Sequence, residues 1–229
     1  MNAFKQMLRN RETCSLVNVD HASPSLVQFL ARTGVDAVMF DCEQGNPSFE
    51  DVENMSRAAR LHKVPAVVRI PSAEPWTIER YVMRGIDGIV VPRLDTAAQV
   101  ARAVADIRYA APRDFDATAV LVQIESVSAV RELEGFLAIP EIDCFFIGAV
   151  DLSKSMGFAG DYGNLEVLQE IDGVIETILQ AGRCVGCLVK EHDLQTWHAK
   201  GATMLYTHVN DFIAMGARQW RDMAHIHPR

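Results

Sequence analysis

Short apolar runs alternate with longer stretches of helical period along this 229-residue chain. Eight runs stand out, at residues 15–19, 36–41, 65–69, 87–92, 119–125, 143–149, 183–189 and 202–209. Most are continuously apolar rather than alternating. That is the pattern of strands buried on both faces, as in a parallel sheet covered by helices. The stretches between them, 24–33, 48–62, 75–84, 95–108, 126–137, 164–181 and 191–199, predict helices. Ser23-Pro24 supplies an N-cap followed by a proline in the first turn. Ser48 with Asp51 three residues on reads as a capping box. Gly34, Gly85, Gly182 and Gly201 each fall between a helix and the next run, where a left-handed C-terminal cap is wanted. The tail, 210–229, reads as a final helix ending in His225, His227 and Pro228. Eight strand–helix units predict an α/β fold closed into a (β/α)8 TIM barrel. Residues 1–229 are expected to form a single domain with an additional C-terminal helix. An open doubly wound sheet is the other possibility, but no glycine-rich turn follows the first run.

Composition adds limits rather than identity. With 49% hydrophobic and 23% charged residues the chain is ordinary globular material. The net charge of −8 and the lack of any basic block argue against nucleic acid as a partner. An anionic substrate would need positive charge supplied locally. The five cysteines, Cys14, Cys42, Cys144, Cys184 and Cys187, are dispersed, most of them in apolar runs, and read as reduced core thiols. Cys184 and Cys187 form a CxxC with no second pair to complete a zinc site. Lys5 and Arg9 interrupt the first ten residues, so no signal peptide is expected, and no run is long enough to span a membrane. A cytoplasmic location is expected.

In a barrel the chemistry sits at the C-terminal ends of the strands. The polar residues ending the runs are Asp41-Cys42-Glu43-Gln44-Gly45, Arg69, Arg93, Gln123 with Glu125, Asp151 and His208. Glu125 and Asp151 close neighbouring buried strands, where a bare carboxylate is costly without a cation or hydrogen bonds. Together they could make an oxygen-rich site for a hard divalent ion; each could also cap a helix or pair with an arginine. The planar fork of Arg69 suits the carboxylate of a keto acid, or an ion pair with Asp41 or Glu43.

These segments resemble the HpcH/HpaI aldolase family, the class II pyruvate aldolases, over nearly the whole chain. The likeness lies in FDCEQG (40–45), VVRIP (67–71), VVPRLDTAAQ (90–99), VQIES (122–126) and IGAVDLSKSMG (147–157). It implies a metal-dependent carbon–carbon lyase that splits 4-hydroxy-2-oxo acids into pyruvate and an aldehyde through an enolate. A divalent cofactor (Mg²⁺, Mn²⁺ or Co²⁺) would be held by Glu125 and Asp151. Arg69 and Gln123 would hold the 2-oxo acid, the backbone at Val150 and Asp151 would receive its carboxylate, and Leu188 would line the pocket. A homo-oligomer, trimer or hexamer, is implied as well.

Four departures bear on chemistry. The family has D-x-E-H-G after the second strand, and its His belongs to the acid/base apparatus; here Gln44 stands there and exchanges no proton near neutral pH. Met83 occupies the place of the acidic partner of that His. Arg93, usually an apolar residue, could read a second carboxylate or pair with Asp95 or Glu43. The connection before the fifth run is short and lacks a long glycine-rich loop. Proton transfer would then fall to another group, with His208 and His21 as candidates. Otherwise the reaction would be one that needs no such base, such as decarboxylation of oxaloacetate, or the chain would bind a 2-oxo acid without turnover.

Overall fold

The computed structural model describes residues 2–225. Its strands are β1 (Cys14–Asn18), β2 (Ala37–Asp41), β3 (Ala66–Arg69), β4 (Gly88–Val91), β5 (Ala119–Ile124), β6 (Cys144–Ile147), β7 (Val185–Leu188) and β8 (Met204–His208). All neighbours pair in parallel, and β8 returns to β1 to close the barrel. Each strand falls within a predicted run or starts one residue before it. The helices are α1 (Ala3–Asn10), α2 (Pro24–Ala31), α3 (Phe49–Leu61), α4 (Pro75–Val82), α5 (Ala97–Ala110), α6 (Val127–Arg131), α7 (Leu133–Leu137), α8 (Ala149–Ser155), α9 (Leu165–Gln180), α10 (Leu194–Ala199) and α11 (Val209–Met223). The caps behave as the sequence predicts. Ser23 accepts from the backbone N–H of Leu26, and Ser48 with Asp51 forms the reciprocal capping box. The four predicted C-terminal glycines all have positive φ, between 71° and 102°, where a side chain would be strained.

Three differences have physical causes. The stretch 126–137 is two short helices, α6 and α7, meeting at Glu132. Helix α8 follows directly on β6, where the apolar run hid the change of period. Helix α1, too short and polar to announce itself, packs Phe4 and Leu8 with Leu16, Met39, Val67, Leu121 and Met204 inside the barrel. It therefore closes the N-terminal end. His227 and Pro228 lie outside the described residues.

The apolar residues form two clusters, one filling the barrel and one between strands and helices. All five cysteines are buried and unbridged. At the N-terminal end, one aspartate precedes each of β2, β4 and β6. Asp36, Asp87 and Asp143 accept the backbone N–H of Ser15, Ala66 and Val120, at 2.8, 3.0 and 2.8 Å. Each ties the start of an odd strand to the start of its even neighbour. Asp143 also meets Lys5 at 3.1 Å and Arg9 at 2.6 Å, which anchors α1. No helix among the described residues is long and apolar enough to cross a membrane.

Candidate active site

The register of β2 against β3 puts Asp41 directly opposite Arg69. The guanidinium grips that carboxylate with both arms, Nε to Oδ1 at 2.9 Å and Nη2 to Oδ2 at 2.5 Å. Burial opposes ionisation of Asp41. The Arg69 fork and the backbone N–H groups of Gln44 and Glu43 outweigh it and hold the carboxyl below its ordinary value. Burial likewise opposes the charge on Arg69, but Asp41 raises its pKa and keeps it cationic. Arg69 Nε also lies 3.3 Å from Glu43, whose other oxygen lies 2.8 Å from Nε of Arg93.

Arg93 then does something its side chain does not announce. Its backbone has φ 59°, the left-handed region, costly for a residue with a Cβ. In that conformation its N–H donates to Glu125 Oε1 at 2.5 Å. The other oxygen of Glu125 accepts from Gln123 Nε2 at 2.9 Å. Contacts thus run without a break from β2 to β5, through Asp41, Arg69, Glu43, Arg93, Glu125 and Gln123.

Glu125 is buried beside more negative charge than positive. Burial, with the charges of Glu43 and Asp151, pushes its carboxyl up to about 7, against the N–H of Arg93 and the charge of Arg69. Gly148, at the end of β6, permits this crowding: a Cβ there would come within 2.7 Å of the Glu125 Cβ and 3.0 Å of Oε2. Asp151, in the first turn of α8, is more exposed and meets Lys154 at 2.9 Å. Gly148 brings no side chain to cap that turn, and the backbone of Val150 and Asp151 lies along it.

Beside this chain of contacts is a cavity of about 280 Å³, lined among others by Gln44, Arg69, Gln123, Val150, Asp151, Leu188 and His208. That size suits a small molecule and no polymer. Of the sequence candidates, Glu125, Arg93 and His21 are not among the residues that line it. Two buried polar atoms of residues lining it, Gln123 Oε1 and the Tyr206 hydroxyl, have no partner among the described residues. Buried polar atoms are seldom left unpaired without a ligand or water to satisfy them. A second hollow of about 290 Å³ adjoins it, bordered by Asn18, Asp20, His21 and Asp41, and Gln44 and His208 border both. His208 Nδ1 lies 2.6 Å from Asp20, while His21 meets Asn210 at 3.0 Å and borders only the second hollow.

The strand-end rule located most of this site but missed Asp20, which lies two residues beyond β1, and Tyr206, which passes for a core aromatic. It also missed the backbone role of Arg93, for which an arginine offers no signal.

A family model described as HpcH/HpaI aldolase/citrate lyase matches residues 15–216. The chain is 30% identical over 213 residues to a hydroxypyruvate/pyruvate aldolase of Cupriavidus necator, covering 83% of this chain and 79% of that protein. It is 26% identical over 242 residues to a 2-keto-3-deoxy-L-rhamnonate aldolase of Salmonella typhi, covering 92% and 91%. Among solved structures, an HpcH/HpaI aldolase/citrate lyase family protein from Burkholderia cenocepacia superposes with a TM-score of 0.87 at 26% identity, covering 98% of this chain and all of the other.

Proposed function

This chain belongs to the HpcH/HpaI aldolase/citrate lyase family and is a carbon–carbon lyase of the aldolase type, and from that premise we propose that it joins and splits 4-hydroxy-2-oxo acids, with pyruvate or hydroxypyruvate as the donor half and a divalent metal as cofactor. The observation that carries this reading is the buried Glu125. Its carboxyl is pushed up to about 7 by burial and by two neighbouring carboxylates, an arrangement that a cation would relieve.

The donor set fits a hard ion. Glu125 and Asp151 would hold it. No group of three His, Cys, Asp or Glu suited to a metal occurs among the described residues, and two carboxylates are the protein share that Mg²⁺ or Mn²⁺ commonly takes, with water and substrate oxygens supplying the rest. When bound, such an ion acts as a Lewis acid toward the substrate's oxygens.

The chain's own residues supply the rest. Asp41 and Glu43 keep Arg69 charged and fixed, so its guanidinium offers positive charge where the enolate oxygen develops, without reorganising. Gln123 binds Glu125 through its nitrogen and keeps Oε1 free for the ligand. The amides of Val150 and Asp151 receive the acid's carboxylate, and Leu188 walls the methyl side. Arg93 supports Glu125 through its backbone and Glu43 through its side chain. A second reading, decarboxylation of oxaloacetate, is favoured by Gln44 alone, since loss of CO₂ reaches the same enolate without a base.

A homo-oligomer, trimer or hexamer, also fits. Helix α11 buries only Val209 within the described chain, and Trp220 is 60% exposed; such a face is suited to a partner. Sedimentation of the purified protein tests that.

The activity test is release of pyruvate from 4-hydroxy-2-oxo acids, followed with a coupled dehydrogenase, with Mg²⁺, Mn²⁺ or Co²⁺ and after chelation. Metal-dependent release supports the aldolase reading. Turnover of oxaloacetate alone transfers support to the decarboxylase. No turnover, with a pyruvate-dependent rise in melting temperature, leaves only binding.

A further inference from the structure

We propose that His208 is the proton-transferring catalytic residue of this site and that Asp20 is its positioning residue, a pair at the junction of β8 and β1. The proposal rests on the aldolase reading above and addresses what Gln44 leaves open.

The pairing follows from the barrel's closure. Asn18 and His208 face each other in register where β1 meets β8. Two residues past Asn18 the backbone turns left-handed at Asp20, φ 58°, which sets its carboxylate against the imidazole. Asp20 Oδ1 lies 2.6 Å from His208 Nδ1, and Oδ2 accepts the backbone N–H of Asn210 at 3.0 Å. A carboxylate only accepts, so Nδ1 carries the hydrogen. Asn18 Nδ2, at 3.4 Å from the same nitrogen, is too far to compete. In the neutral ring Nε2 is then the basic nitrogen, and it has no hydrogen-bond partner among the described residues. The ring also packs edge-on against Tyr206, centroids 5.1 Å apart.

Placement supports a working proton carrier rather than a clamp between strands. His208 borders the same cavity as Arg69, Gln123 and Asp151, and also the adjoining hollow. A clamp would need neither a basic nitrogen without a partner nor a place on both. Of the other carboxylates around it, Asp41 is held by Arg69, Asp151 by Lys154 and Asp211 by Lys190, and Asp20 is the anion in contact with the ring.

The step balances within the pair and the substrate. Nε2 takes a proton from the methyl carbon of pyruvate. The C–H pair becomes the C2=C3 bond, the carbonyl π pair moves onto oxygen, and the imidazolium is stabilised by Asp20. The enolate carbon then attacks an aldehyde, and the resulting alkoxide takes the proton back from Nε2. Cleavage runs the same steps in reverse.

Two reactions separate a base from a structural pin. Exchange of the pyruvate methyl protons into D₂O needs a base, whereas decarboxylation of oxaloacetate forms the enolate without one. In His208→Asn, exchange should fall about 10²- to 10⁴-fold, the usual contribution of a general base. Release of CO₂ from oxaloacetate, which precedes protonation of the enolate, should fall far less than exchange does, and pyruvate should still raise the melting temperature. Asp20→Asn should slow exchange by a smaller factor and remove the downfield Nδ1–H proton resonance of the wild type. Undiminished exchange in His208→Asn overturns the proposal. So does a parallel loss of exchange, decarboxylation and pyruvate-dependent stabilisation, which marks a structural role. A wild-type protein with neither reaction overturns the aldolase reading itself, and the proposal with it.

Discussion

The two ends of this barrel use the same side-chain chemistry to opposite effect. At the N-terminal end Asp143 is buried with two cations, Lys5 and Arg9, and a backbone N–H. Its charge is fully answered, and the cluster locks α1 under the barrel. At the C-terminal end Asp41, Glu43, Glu125 and Asp151 share Arg69, Arg93 and Lys154, and two of those cations are largely exposed. The balance there is negative, and Glu125 resists ionisation. A satisfied cluster stabilises a fold. An unsatisfied one has free energy to gain from a ligand, and this asymmetry is why the upper end reads as the site of chemistry.

The largest expected effect comes from breaking the lower cluster. Asp143→Ala leaves Lys5 buried without its counter-charge, which should cost about 3–5 kcal/mol. At roughly 2–4 °C per kcal/mol for a chain this long, calorimetry should show a clear fall in melting temperature. The rate per folded molecule should change little. Glu125→Ala should do the reverse. Metal-dependent turnover should fall about 10²- to 10³-fold, as when one preorganised electrostatic group is removed, while the melting temperature of the chelated protein holds or rises. If both variants lose stability equally, the two ends do not differ as argued.

The pH dependence of the chelated protein sharpens the contrast. Glu125 has its carboxyl raised from 4.5 to about 7 in the folded state. Between those values the folded chain binds a proton that the unfolded chain has lost. Stability contributed by this group is therefore full below about 4.5 and declines as pH rises toward about 7, by at most about 3 kcal/mol. Denaturant midpoints measured across that range should show the decline, and Glu125→Gln should lack it. Smallest of all should be Arg93→Ala. Its guanidinium is 67% exposed in its pairing with Glu43, so the loss should stay within about 1 kcal/mol. The backbone N–H that serves Glu125 survives the substitution.

Much of this was legible in the sequence, for identifiable reasons. Strands buried on both faces read as apolar runs, and a residue ending such a run must face the C-terminal rim. That placed Arg69, Gln123, Glu125 and His208 without coordinates. What stayed hidden depends on register and backbone. The ends of the second and third runs allow Arg69 to pair with Asp41 or Glu43, and it meets both, but nothing in the chain says that Asn18 meets His208 across the closing seam, or that Arg93 turns left-handed to reach Glu125. Helix α1 was hidden too, because Phe4 and Leu8 reveal a buried face only once the barrel they close exists.

Titration calorimetry with Mn²⁺ tests the central claim most directly. The wild-type chain should bind one ion per chain, more tightly with pyruvate present, Glu125→Ala should lose that binding, and Asp143→Ala should keep it while folded. Undiminished binding by Glu125→Ala would contradict the account.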